Sequence, residues 1–179
     1  MKKIIFFLFA LFSIGGYSQK TLEIYNYSAT KSLSISIIIT KPQTGIYPWF
    51  GSVTPSIITI PPGGQYVLQN NANLYRFPFY SPTSSPLITN WRKVVQSTGG
   101  NGSFTNVTSQ VAWPLGTTQF FNNISFTVNN GLQGGNTVGE PIGSVTSSIT
   151  NTTYNWAIDY VPSYVTSTLI FNTIVFYDI

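Results

Sequence analysis

The 179-residue chain contains no cysteine and no histidine, and only 7% of its residues are charged. Without cysteine there is no disulfide framework, no thiol nucleophile and no thiolate metal ligand. Stability must therefore come from core packing and strand pairing. Without histidine, Ser-His-Asp catalysis, imidazole acid–base chemistry and His-ligated metals are excluded. The acids are Glu23, Glu140, Asp159 and Asp178, too dispersed for a calcium-binding signature. No metal and no cofactor are expected.

Charge is far below the roughly 25% of an average soluble protein. Beyond Lys2 and Lys3 the basic residues are Lys20, Lys31, Lys41, Arg76, Arg92 and Lys93, scattered apart from the last pair. A nucleic-acid binder shows a clustered basic stripe, and none exists here. What the chain does have is 42% hydrophobic and 16% aromatic residues. That composition belongs to a folded domain, since disorder goes with low hydrophobicity and high charge. Its surface must be built from Ser, Thr, Asn, Gln and Tyr, which hydrogen-bond readily and suit sugars, polar polymers or other protein surfaces.

Met1-Lys2-Lys3 forms a short positive head, Ile4 to Ile14 an apolar run broken only by Ser13, and Gly16 and Ser18 are small. This segment resembles bacterial secretory signal peptides, with cleavage expected before Gln19. Its apolar run falls well short of the ~20 residues that span a bilayer. No cysteine follows the cleavage point to carry a lipid. The expected organisation is a signal peptide over 1–18 and one domain over 19–179, secreted to the periplasm or beyond.

Strand signals fill the rest. Ser56 to Gln69 places Ile58 and Ile60, then Tyr66 and Leu68, on alternate positions around Pro61-Pro62-Gly63-Gly64. Pro62 presets φ and Gly63 accepts the positive φ of a type II turn, so the stretch reads as a β-hairpin. Thr21–Tyr27 and Ser32–Thr40 read as half-buried strands, the second with Leu33, Ile35, Ile37 and Ile39 on one face. Leu74–Tyr80 reads as a strand confined to an edge by Pro78. Ile88–Gln96 and Phe120–Val128 follow, the latter with an irregularity at Asn122-Asn123. Asn129–Gly143 is the loosest stretch, and Ser144–Thr150, Thr153–Val161 and Tyr164–Tyr177 complete the set, the last two joined at Pro162-Ser163. About nine or ten short strands and no amphipathic helix predict an all-β, single-domain antiparallel β-sandwich. An eight-stranded outer-membrane barrel needs ~10-residue alternating strands, which Pro78, Pro114 and the short Ser56–Ile60 run do not allow.

Aromatic residues carry the functional signal. A ring stacks on the C–H face of a pyranose while nearby amides bond its hydroxyls. Tyr47, Trp49 and Phe50 before the Ser56–Gln69 unit, with Tyr75 and Tyr80 around Pro78, are the candidate ligand-binding residues. The ordinary alternative is that Tyr47 and Trp49 cap the open end of the sandwich with buried rings. Trp91, Trp113 and Trp156 sit in strand-like runs and read as core. Gly99-Gly100-Asn101-Gly102 lacks the Lys-Ser/Thr and strand-to-helix context of a phosphate cradle. The sequons at Asn26, Asn101, Asn106, Asn123 and Asn151 read as coincidence in a chain this rich in Asn, Ser and Thr.

The resulting expectation is a secreted, non-enzymatic binding module for a carbohydrate or a cell-surface protein partner. Two alternatives remain open. The uncharged, Ser/Thr-rich span 120–150 has the pattern of a membrane-inserting hairpin, the one reading that involves membrane contact. Glu140 and Asp159 are the only acids that offer a glycan-degrading pair. Amino-terminal sequencing of the exported protein should begin at Gln19; a retained Met1 would overturn the leader assignment.

Overall fold

A computed structural model describes residues 19–69, 76–79, 81–96, 102–141, 143–166 and 169–179. The expected leader over 1–18, the Gly99–Asn101 stretch, Tyr75 and Tyr80 lie outside the described residues. Twelve strands form two packed sheets. The first sheet comprises β1 (Gln19–Asn26), β5 (Gln65–Gln69), β10 (Ser148–Asn151), β11 (Trp156–Thr166) and β12 (Leu169–Asp178), in the order β10-β11-β12-β1-β5. The second comprises β2 (Leu33–Pro42), β3 (Trp49–Thr54), β4 (Ile58–Ile60), β6 (Asn90–Val95), β7 (Ser103–Thr108), β8 (Gln119–Val128) and β9 (Gln133–Gly139). Its order is β7-β6-β3-β2-β8-β9, with β4 also paired to β2. Pairing is antiparallel throughout except between β1 and β12, which run parallel. The fold is the expected all-β sandwich.

One continuous core lies between the sheets. Leu22 and Ile24, Tyr66 and Leu68, and Trp156, Ile158 and Tyr160 all turn inward, as period-two alternation requires. Ring pairs tie the layers together. Phe50, Phe79 and Trp91 meet edge-to-face at 4.7 and 5.3 Å, and Trp156 packs on Phe126 and Phe176 at 6.0 and 5.8 Å. Trp91 and Trp156 are fully buried, and Trp113 packs against the core from the short helical link α1 (Ser109–Ala112) and its 3-10 extension Trp113–Thr118. Phe77 and Phe79 fill the core from a turn rather than from an edge strand.

The Pro61–Gly64 turn forms as expected, but not as a hairpin. Gly63 has φ +69° and the Gly64 N–H donates to Pro61 O at 2.9 Å. Its two arms then part, β4 pairing with β2 and β5 with β1, so the turn is a corner between the sheets. Asn26, fully buried at the end of β1, makes the corner. Its amide nitrogen donates to the carbonyls of Lys31, Ile60 and Pro61 at 2.8, 3.0 and 3.0 Å. Burial of Asn26 also closes that sequon.

Two bulges in the β2–β8 ladder correct the predicted strand phases. Ser36 is an extra residue on β2, between the Ile35↔Phe126 and Ile37↔Ser125 pairs. Beyond it Ile38 and Thr40 are buried, while Ile37 and Ile39 pass to the outer face, against the expectation of one apolar face. Asn122 is the extra residue on β8, between Ile39↔Asn123 and Thr40↔Phe121, and this is the anticipated irregularity. It brings Phe121, not Phe120, into phase with the buried Ile124, Phe126 and Val128.

Two further differences have simple causes. The supposedly loose 129–143 stretch contains β9, reached by a tight turn with Asn129, Asn130 and Gly131 at φ 51°, 55° and 90°. As an edge strand whose ladder partner is β8, with only a bridge from Val138 to Thr146 on its other side, β9 tolerates Gly134 and Gly135. Pro162-Ser163 is not a turn but lies within β11. There β10 has already ended, so one edge of β11 is free and the missing proline N–H costs no ladder bond.

Tyr66 links this fold to pH. Its hydroxyl donates to Pro86 O at 3.2 Å, and burial pushes its pKa up from 10.0 to about 12 against the opposing hydrogen bond from Ser84. With the folded value above the unfolded one, the associated stabilisation is complete below pH ~10 and disappears as pH rises towards 12. The shift corresponds to about 3 kcal/mol. Tyr66→Phe should flatten the fall in melting temperature over that window; an unchanged alkaline slope would refute the assignment.

Candidate functional site

Trp49 opens β3 opposite Val94 of β6, with its side chain on the outer face of the seven-stranded sheet. Strand alternation sends the next residue, Phe50, into the core, where it is fully buried; it is removed from the candidate binding set. Tyr47 is half-buried with its ring edge beside Gly102, and it does not line the same hollow as Trp49. Of the three nominated residues that are described, Trp49 alone lines this groove, and its ring lies on the outer face rather than capping the sandwich.

The rest of that site was not nominated. A shallow groove of about 210 Å³ is lined by Ile39, Lys41, Ile46, Trp49, Asn122 and Asn123. The bulges build it. The one at Ser36 turns Ile39 outward as floor, and the one at Asn122 sets Asn122 beside Asn123 on the same face. Ile46, 66% exposed, forms the rim.

The two asparagines are more than nine-tenths buried, yet they are incompletely bonded. Asn123 Nδ2 donates to Asn122 Oδ1 at 2.8 Å, leaving Asn122 Nδ2 and Asn123 Oδ1 with no partner among the described residues. Leaving a buried donor or acceptor unmade costs ~1–3 kcal/mol. Both side chains line the groove next to a half-exposed indole, with the spare donor and the spare acceptor themselves buried beneath its surface. Backbone groups at the bulges find partners: Glu140 N–H donates to Asn122 O at 2.8 Å, and Ile38 N–H to Ser52 Oγ at 2.8 Å. The bulge signal was visible in the sequence as two adjacent amides interrupting an apolar strand.

A second, more enclosed hollow of about 200 Å³ opens between the sheets at the same end of the sandwich. It is lined by Lys20, Lys41, Gln43, Phe120, Glu140 and Asn172, among others. Lys20 is almost fully buried. Its ammonium donates to Thr117 O and Gln119 O at 2.8 and 2.7 Å, with Gly116 O at 3.4 Å and the Phe120 ring centroid 3.9 Å away. Burial lowers its pKa to about 8, and the three carbonyls favour the charged form, so it stays cationic at neutral pH.

Glu140 and Asp159 do not share a cleft. Asp159 lies on the outer face of the other sheet, bonded by Ser148 Oγ and Tyr177 OH at 2.5 and 2.8 Å. No cluster of three acidic side chains exists among the described residues. The 120–150 span does not project, because β8 is paired along its length with β2 and buries Phe121, Ile124, Phe126 and Val128. No helix among the described residues is long and apolar enough to cross a membrane. No protein-family model, curated protein or solved structure matches the chain.

Gly139 faces the Asn122 bulge at close range. A Cβ there would lie 2.2 Å from Asn122 O and 2.6 Å from Asn123 Cα, both backbone atoms. Gly139→Ala should therefore destabilise the protein by at least the ~1–3 kcal/mol of ordinary overpacking. A melting temperature within error of wild type would show that the bulge adapts freely and is not a built feature.

Proposed function

We propose that the protein is a secreted, non-enzymatic carbohydrate-binding module whose site is the outer-face groove of Trp49, Asn122 and Asn123. The observation that carries this reading is the pair of nearly buried amides with one donor and one acceptor unused, beside an indole face. Pyranose rings present an apolar C–H face together with adjacent hydroxyls, and the groove offers a surface for each. Amide and indole chemistry binds without transforming, in keeping with a chain that has no histidine or cysteine and separates its acids. The charge-poor surface fits a heavily hydroxylated ligand better than it fits a strongly charged protein partner.

Neither alternative gains comparable support. Freeing the 120–150 span for a bilayer would strip β8 from its place between β2 and β9 and expose four core side chains. A glycosidase would need a second carboxyl close to Glu140, roughly 5–10 Å away.

The test is a glycan array probed with the protein and its variants. Trp49→Ala should abolish binding at a cost of about 1–2 kcal/mol, below the ~3–5 kcal/mol of a fully buried Trp. The double variant Asn122→Ala/Asn123→Ala should also lose binding, while its melting temperature stays level or rises. Replacing both members of a poorly satisfied buried polar pair is neutral or stabilising. Wild-type binding retained in the double variant would end the reading.

A further inference from the structure

Resting on that reading, we infer that the ligand is an acidic glycan, with the end cleft as a second subsite that takes a carboxylate-bearing sugar next to the one on Trp49. The inference starts from Lys41, which lines both hollows. Either hollow alone falls below the ~300–1,000 Å³ usual for a small-molecule site, and joined at Lys41 they reach that range. Their walls are also tied together across the sheet, since Asn122 O in the groove accepts the backbone N–H of Glu140 in the cleft.

Charge decides the class of the second sugar. The Lys41 ammonium makes no hydrogen bond and no ion pair among the described residues, whereas that of Lys31 is paired with Asp178. In a chain with so few charges, an uncommitted ammonium at the junction of two hollows stands out. Lys20 adds a second positive charge at the cleft wall, already held by main-chain carbonyls. Glu140 is the one acid lining the cleft, and its carboxylate likewise has no bonding partner among the described residues. Two cations and one anion leave the cleft net positive by one, so it balances a single carboxylate. Phe120 and Ile170 supply apolar wall, and Gln43 an amide for hydroxyls.

The experiment measures affinity, by calorimetry, for uronate oligosaccharides of gluco, manno and galacto configuration. Each is compared with its carboxyl-reduced counterpart, which keeps the ring stereochemistry and loses only the charge. At least one uronate should bind about tenfold or more tightly than its reduced form, the scale of one hydrogen bond to a charged group. Lys41→Gln should erase that preference, so that the variant binds the uronate and its reduced form with equal affinity. Glu140→Gln should do the opposite and tighten the uronate by roughly a few-fold, because it removes a like charge. The uronate preference should also weaken between about 50 and 500 mM salt, as screening requires. Lys41 and Glu140 are both partly exposed, and thermal melts verify that the variants fold. Equal affinity for acidic and reduced forms, with Lys41→Gln silent, would overturn this inference and leave the Trp49 groove reading intact. Binding to neither form would overturn both.

Discussion

The β2–β8 ladder is the spine of the seven-stranded sheet, and its two bulges sit on opposite strands. Each alone would shift the register of everything beyond it; together they cancel, so pairing resumes at Thr40↔Phe121 and continues to Pro42↔Gln119. Between them both strands are rotated relative to their own sequence alternation. Ile37 and Ile39 face solvent there, Ile38 takes over the core, and two asparagines share a face that an unbroken strand would have divided. The backbone groups freed by the distortion are recovered locally by Ser52 and Glu140, so the irregularity is stable without a ligand. Two amide atoms, Asn122 Nδ2 and Asn123 Oδ1, are left unbonded among the described residues, on side chains that line the groove.

Much of the sandwich was legible because half-buried strands carry a period of two. Leu22/Ile24, Tyr66/Leu68 and Trp156/Ile158/Tyr160 announce their inner faces without any knowledge of partners. What alternation cannot encode is which strand lies alongside. Ile58–Leu68 resembled a hairpin since turn chemistry involves four residues, whereas the parting of its arms depends on Asn26, 34 residues before Ile60. The same limit hid β9, where glycine-rich sequence at a sheet edge is held by backbone pairing that side chains do not reveal.

The site was legible in fragments. Trp49 was identifiable as an aromatic outside any regular apolar run, and the same alternation rule that places it outward places Phe50 inward. Asn122-Asn123 was identifiable as a break in β8. Nothing local joins the two, because β3 and β8 meet only through β2, and their alignment depends on the pairing of Ile39 with Gly51 on one side and Asn123 on the other. Lys41 was one scattered lysine among six until the sheet placed it between two hollows.

The parallel pairing of β1 with β12 bears on how such a chain is made. β1 is central in its sheet, flanked by β5 and β12, and the full register from Gln19↔Leu169 to Asn26↔Phe176 joins the two ends of the described chain. A ribosome releases β1 long before β12 exists, and during that interval one edge of the first strand has no partner. Closing a loop of about 150 residues is slow, since its entropy must be met before the contacts repay it. The order of the native sheet thus waits on its last described strand, however early the first one is made.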